Sequence, residues 1–120
     1  MSPAEAEVAA LSDAYEAALL VDDVAAMDAA FWDSPATLRF GVAEVQRGAD
    51  AIAAWRRSAG GVPATRRITS RAVLELAAGV VAVDLTFVNG DDPTVGRQSQ
   101  TWVRTDGAWR IVRAHVSMQR

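Results

Sequence analysis

The sequence predicts an α+β fold: a curved antiparallel sheet wrapped around three N-terminal helices. Three observations predict it. Apolar residues recur at helical spacing through the first half of the chain, and alternating stretches rich in β-branched residues fill the second half. Turn signals near Gly79, at "NGDDP" and at "TDG" then divide that second half into long consecutive strands. The chain has 120 residues, half of them hydrophobic, which suits one domain spanning 1–120 with no linker. A domain of that size buries roughly two-thirds of its unfolded surface.

Each element has its own reason. Ser2-Pro3 is a helix cap followed by proline at the first helical position, with Glu5 in the first turn. From there to Leu20, Val8, Leu11, Tyr15 and Leu19 recur every three or four residues, so Tyr15 lies on the expected buried stripe. Asp22 and Asp23 cap a second, short helix through Phe31, with Val24, Met27 and Phe31 inward. Pro35 in "WDSPA" ends that pattern. "TLRFGV" alternates as a strand, with Leu38 and Phe40 on one side and Thr37 and Arg39 on the other. A third helix is expected from 49 to about 58, carrying Ile52 and Trp55, and "AGGVPA" is a loop. Four strands follow, over 65–76, 80–88, 96–105 and 108–117.

Asp106-Gly107 suits a two-residue hairpin turn that needs positive φ. An unbroken register from that turn sets Arg104 opposite Trp109, Trp102 opposite Ile111, Gln100 opposite Arg113 and Gln98 opposite His115. One slip or bulge exchanges the two faces. The alternation alone therefore leaves open which side of "GRQSQTWVR" is the inner one.

Composition excludes several chemistries. The net charge of -3 argues against general nucleic-acid affinity. Every basic residue is Arg, so no lysine amine is available for Schiff-base chemistry. With no Cys and a single His, His115, thiolate sites and multi-histidine zinc sites are excluded within one chain. No metal and no cofactor are expected. The opening "MSPAEAEVAA" is acidic and lacks the blocks of a signal peptide, and the apolar runs are too short to span a bilayer. The expectation is a cytoplasmic protein with no membrane and no nucleic-acid partner.

Three segments, "AYEAALLVDDVAAMDAAFW", "SPATLRFGVAE" and "GRQSQTWVR…GAWRIVRAHVSM", resemble the AtzH-like family. That family belongs to the SnoaL-like, nuclear-transport-factor-two-like superfamily of cone-shaped folds, which includes ketosteroid isomerase. The ending "DGAWRIVRAHVS" is also similar to the association domain of calmodulin-dependent kinase II. The resemblance covers about Val8 to Met118. It implies a decarboxylating amidohydrolase acting on 1,3-dicarboxyurea, with the catalytic roles falling on Tyr15 and Arg39. It also implies a homodimer joined through the outer sheet face and a function alongside an amidase. One stretch departs: where the family pattern reads "GENxYG", this chain has "AEVQRG", so Val45 and Arg47 replace an amide and an aromatic.

The candidate site follows. Tyr15 is the proton donor or acceptor, and Arg39 grips a substrate carboxylate with a guanidinium that stays charged when desolvated. Arg97, Ser99, Trp32, Trp102 and His115 are candidates for substrate contact. Arg97 and Ser99 divide between pocket and interface, and a lone His late in a strand is more often structural. Glu44 either anchors one of the nearby arginines or is an ordinary surface residue. Two further readings stand beside the hydrolase: a non-catalytic dimer that binds small carboxylates or assists an amidase, and a ketosteroid-isomerase-like enzyme. The last needs a carboxylate base low in the cone.

Overall fold

The computed structural model describes residues 1–119. Helix α1 spans Pro3–Leu20 and begins with a reciprocal cap: the Glu5 N–H donates to Ser2 Oγ and the Ser2 N–H donates to Glu5 Oε1, at 3.1 and 2.8 Å. Helix α2 spans Val24–Ala30, with Asp23 accepting from the Ala26 N–H, and buries Met27. Phe31, just beyond it, is buried too. Helix α3 spans Ala49–Ser58.

The sheet holds β1 (Leu38–Phe40), β2 (Val45–Arg47), β3 (Arg66–Ala77), β4 (Val80–Asn89), β5 (Val95–Thr105) and β6 (Ala108–Gln119), in the order β2-β1-β6-β5-β4-β3. The fold is α+β, three helices against a curved, open sheet. One pairing departs from the expected all-antiparallel sheet, because β1 runs parallel to β6. The chain leaving α2 is already laid along β6, through a Phe31–Ile111 bridge and a bond from the Trp32 N–H to the Ile111 carbonyl. It therefore enters β1 in the direction of β6. Strand β2 has no strand signature of its own; it exists because the chain turns back on β1 at Gly41 and Glu44.

The buried side of α1 differs from the expected stripe. Leu11 is exposed, while Val8, Ser12, Tyr15 and Glu16 are buried. Polar contacts with β3 fix this rotation: Arg71 bonds Asp13 and Arg66 bonds Glu16. Val8, Met27, Phe31, Ile52, Val81, Val83, Trp102 and Ile111 form the core between helices and sheet.

The hairpin turn has positive φ at both Asp106 and Gly107, as a two-residue turn of that kind needs. Next to it, Arg104 pairs with Trp109 and Trp102 with Ile111. Then the register shifts: Thr101 pairs with Arg113, Gln100 with Ala114, Ser99 with His115 and Gln98 with Val116. The expected pairings of Gln100 with Arg113 and Gln98 with His115 are thereby corrected. Val112 is the additional residue of a bulge, and it turns the far half of β6 over. Gln46, Arg39, Ala114, Gln100 and Val83 then form one row across the inner face. Val45, Phe40, His115, Ser99 and Asp84 form a row on the outer face. Among the described residues, no helix is long and apolar enough to cross a membrane.

Candidate functional site

A hollow of about 90 Å³ lies between α1, α3 and the inner face of the sheet. One water occupies on the order of 10–15 Å³ of such space, so there is room for roughly six to nine waters or a small molecule of similar size. Leu19, Phe31, Val62, Ala114 and Val116 supply its apolar wall, and Tyr15, Arg39, Arg56, Arg66, Gln98 and Gln100 its polar one. Trp55 completes the lining. Among the described lining residues there is no carboxylate; the acids that pair with the arginines stand behind them. The hollow is thus walled by cations and amide groups, an arrangement that favours an anion.

Tyr15 reaches the hollow because it shares the buried side of α1 with Val8. Its ring meets Phe31 edge to face, with centroids 6.1 Å apart. Among the described residues no hydrogen bond of ordinary geometry holds its hydroxyl, and the Arg56 side chain stands next to it. Burial pushes the phenol above its ordinary value of 10.0, while the neighbouring Arg56 and Arg39 pull against that rise. At neutral pH the group carries its proton.

Arg39 sits in the inner row of β1, opposite Ala114. Its Nη1 donates to Glu44 Oε1 and to Gln46 Oε1, both at 2.9 Å, and its guanidinium lies 3.8 Å from the centre of the Trp55 ring. These contacts fix the plane of the fork on one side. Among the described residues, Nε and Nη2 make no hydrogen bond. Glu44, at the turn between β1 and β2, is the anchor of Arg39. Gln46, on the three-residue strand that has no sequence signature, is the second anchor.

Two further arginines enter the hollow that sequence reasoning did not select. Arg66 is held along one side: its Nε and Nη2 donate to Glu16 Oε1 at 3.0 and 2.9 Å, and Nη2 also donates to Gln98 Oε1. Gln98 Nε2 closes the ring by donating to Glu16 Oε2. Arg56, on α3, is different. Its Nε donates to Asp28 Oδ1 at 2.9 Å and its Nη1 faces Met27 Sδ, but the buried Nη2 has no partner. The sequence signal for Arg56 is its place four residues after Ile52, on the inward side of α3.

The remaining candidates lie elsewhere. Trp102 is fully buried in the core, where its indole N–H donates to Gln100 Oε1 at 3.2 Å. An indole N–H only donates, so the Gln100 oxygen is fixed and its amide N–H groups remain for the hollow. Trp32 is half-buried where the chain crosses from α2 to the sheet, and its carbonyl accepts from Thr37 Oγ1. Arg97, Ser99 and His115 are exposed on the outer face, away from Tyr15 and Arg39. Arg97 and Ser99 border an open groove of about 440 Å³ there, and His115 packs edge to face on Phe40. Unbroken alternation from the buried Trp102 keeps the even positions of β5 inside and Arg97 and Ser99 outside, and the bulge at Val112 sets His115 on that outer face opposite Ser99. Among the described residues, no group of three or more His, Asp or Glu is placed to hold a metal ion.

A family model described as AtzH-like matches residues 2–120. The chain belongs to the AtzH-like family. Solved structures agree. It is similar to a cystatin-like fold protein from Burkholderia xenovorans LB400, at 41% identity over 95% of this chain and 90% of that one, with a TM-score of 0.90. It is similar to a protein of unknown function from the DUF3225 family of Pectobacterium atrosepticum, at 32% identity over 100% and 94%, with a TM-score of 0.93. A nuclear transport factor 2-like superfamily protein from Salmonella enterica, at 22% identity over 97% and 91% and a TM-score of 0.76, shares the fold. No curated protein matches. As an AtzH-like protein, the chain has its family's cone: the sheet curls around the helices and leaves the hollow near its centre.

Proposed function

We propose that this AtzH-like protein is a cytoplasmic hydrolase that removes carbon dioxide from an N-carboxylated urea or a related ureido acid. One observation carries the reading: Tyr15 and Arg39, from a helix and a distant strand, line one small hollow that among the described residues has arginines in its wall and no carboxylate. Arg39, held from behind by Glu44 and Gln46 and stacked on Trp55, turns its remaining N–H groups to a substrate carboxylate. The protonated Tyr15 phenol donates to the urea nitrogen as the bond to the departing carboxylate carbon breaks. The bond's electron pair stays on nitrogen, which becomes a urea NH2 group, and the carboxylate leaves as carbon dioxide. The phenolate, flanked by guanidinium charge, then recovers a proton from water. A positioned acid of this kind contributes roughly 10²–10⁴-fold, to which fixed donors add electrostatic stabilisation. A ketosteroid-isomerase-like reaction lacks its base here, because the described wall offers no carboxylate to abstract a proton.

Partners belong to the same proposal. The outer face exposes Phe40, Val45 and Leu74, apolar surface suited to a second copy of this chain. The product keeps a urea C–N bond, which is work for an amidase. The function is tested by incubating the purified protein with a panel of N-carboxylated ureas and following carbon dioxide release. Turnover of at least one is expected. Binding without release of carbon dioxide would make the protein a carboxylate-binding module instead. A single-chain mass in solution would refute the dimer.

A further inference from the structure

We infer that Arg56 is a second anion anchor, so that the hollow selects small dianions, with one carboxylate on Arg39 and the other on Arg56. The inference rests on reading the hollow as an anion site. Its observation is separate: a buried guanidinium nitrogen, Arg56 Nη2, without a partner at the wall of that hollow. Buried polar groups are nearly always satisfied, and each exception calls for an explanation. Arg66, in the same hollow, shows what a structural arginine looks like here, with Glu16 and Gln98 closing a ring of bonds around it.

The charges point the same way. Glu44 faces Arg39 and Glu16 faces Arg66, one acid for one base. Asp28 faces two, with Arg56 at 2.9 Å and Arg57 at 3.2 Å. The excess of positive charge therefore lies at the Arg56 end. Asp28 and Met27 hold Arg56 through Nε and Nη1, which fixes the direction of the unused nitrogen. The Phe31 ring stands against both Arg56 and Tyr15, with centroid distances of 5.5 Å to the Arg56 guanidinium and 6.1 Å to the Tyr15 ring. The phenol thus stands on the Arg56 side of the hollow, whose lining it shares with Arg39. A urea carboxylated on both nitrogens carries its two carboxylates on a short planar bridge, which suits two guanidiniums facing one hollow.

The test is calorimetric titration of the full chain with glutarate, whose carboxylates are separated by the same number of atoms as those of a dicarboxylated urea, and with butyrate, its monoanionic counterpart. Wild type should bind glutarate about tenfold more tightly than butyrate or better, as a second charge-assisted pair would give. Arg56→Gln should bring the two affinities to within about twofold of each other by weakening glutarate alone. Asp28 keeps Arg57 in that variant, and a melting curve checks that it folds. Arg56→Lys, which restores charge but not the fork, should recover part of the preference. The inference is overturned if wild type does not bind glutarate, if Arg56→Gln keeps the preference, or if it weakens both ligands equally. Carbon dioxide release separates the two claims: turnover with an unchanged preference in Arg56→Gln sinks this inference alone, whereas the predicted preference without turnover sinks the hydrolase reading alone.

Discussion

The two faces of β5 carry polar side chains that look alike in the sequence and live in opposite environments. Gln98 and Gln100 are 5% and 4% exposed on the inner face, whereas Arg97 and Ser99, their immediate neighbours, are exposed on the outer one. Inside, each amide oxygen is committed: Gln98 closes the Glu16–Arg66 ring and Gln100 takes the Trp102 N–H. Outside, water satisfies the same kinds of group without any such arrangement. A polar side chain in a low-dielectric hollow must be organised, and organised donors are what binding and catalysis use. The even positions of this strand build the site, and the odd ones build the surface.

The most severe way to break that contrast is to remove its cause. Deleting Thr101 moves the polar run of β5 by one place relative to Trp102, so that Arg97 and Ser99 should swing inward while Gln98 and Gln100 turn out. Burying unpaired charge in this way should cost roughly 5 kcal/mol or more, comparable with the whole stability of a small domain. Thermal denaturation should show no cooperative transition, and a wild-type melting curve would contradict the account of the two faces.

Tyr15→Phe acts on chemistry without touching the fold. Turnover should fall roughly 10²–10⁴-fold, while the melting temperature hardly moves, since no described hydrogen bond is lost. The pH profile sharpens the assignment. Burial raises the phenol above 10.0, and the acid form is the working form, so the alkaline limb of activity should lie above that value. A limb near neutrality would assign the proton transfer to another group. Arg39→Met removes a guanidinium fixed on Trp55; kcat/KM should fall roughly 30- to 5,000-fold, the 2–5 kcal/mol lost when one side of a buried charge pair is truncated.

Smaller effects test the packing around the contrast. The Phe87 ring lies directly over Gly96 and under the Arg66 guanidinium, 3.8 Å from the ring centre, so a β-carbon at Gly96 collides with it. Gly96→Ala should cost roughly 1–3 kcal/mol, the usual penalty of overpacking, read from chemical denaturation. Replacing Arg97, Ser99 and His115 together by alanine should change kcat/KM by less than about twofold, as exposed positions away from the hollow do. A larger loss would place part of the site on the outer face.

The fold was largely legible because its signals are local. Ser2-Pro3 with Glu5 starts α1, Asp23 starts α2, and Asp106-Gly107 makes the hairpin, each through bonds within a few residues. Strand β2 and the parallel pairing of β1 were not legible, since both arise from where distant segments meet. The bulge at Val112 left no local mark either, yet it decides which β6 side chains enter the hollow. In β5 both rows end in polar side chains, so alternation alone did not separate Gln98 and Gln100 from Arg97 and Ser99. Tyr15 and Arg39 were singled out through resemblance, not through their spacing. Arg56 escaped notice because "WRRS" reads as the basic end of a helix, favourable to the helix dipole, and its exposed neighbour Arg57 does play that part.

The most direct measurement is a crystal structure of the protein soaked in glutarate. The account predicts the ligand in the hollow, with a carboxylate on the free N–H groups of Arg39 and an atom within hydrogen-bonding distance of the Tyr15 hydroxyl. Glutarate bound instead beside Arg97 and His115 on the outer face, with the hollow holding only water, would contradict it.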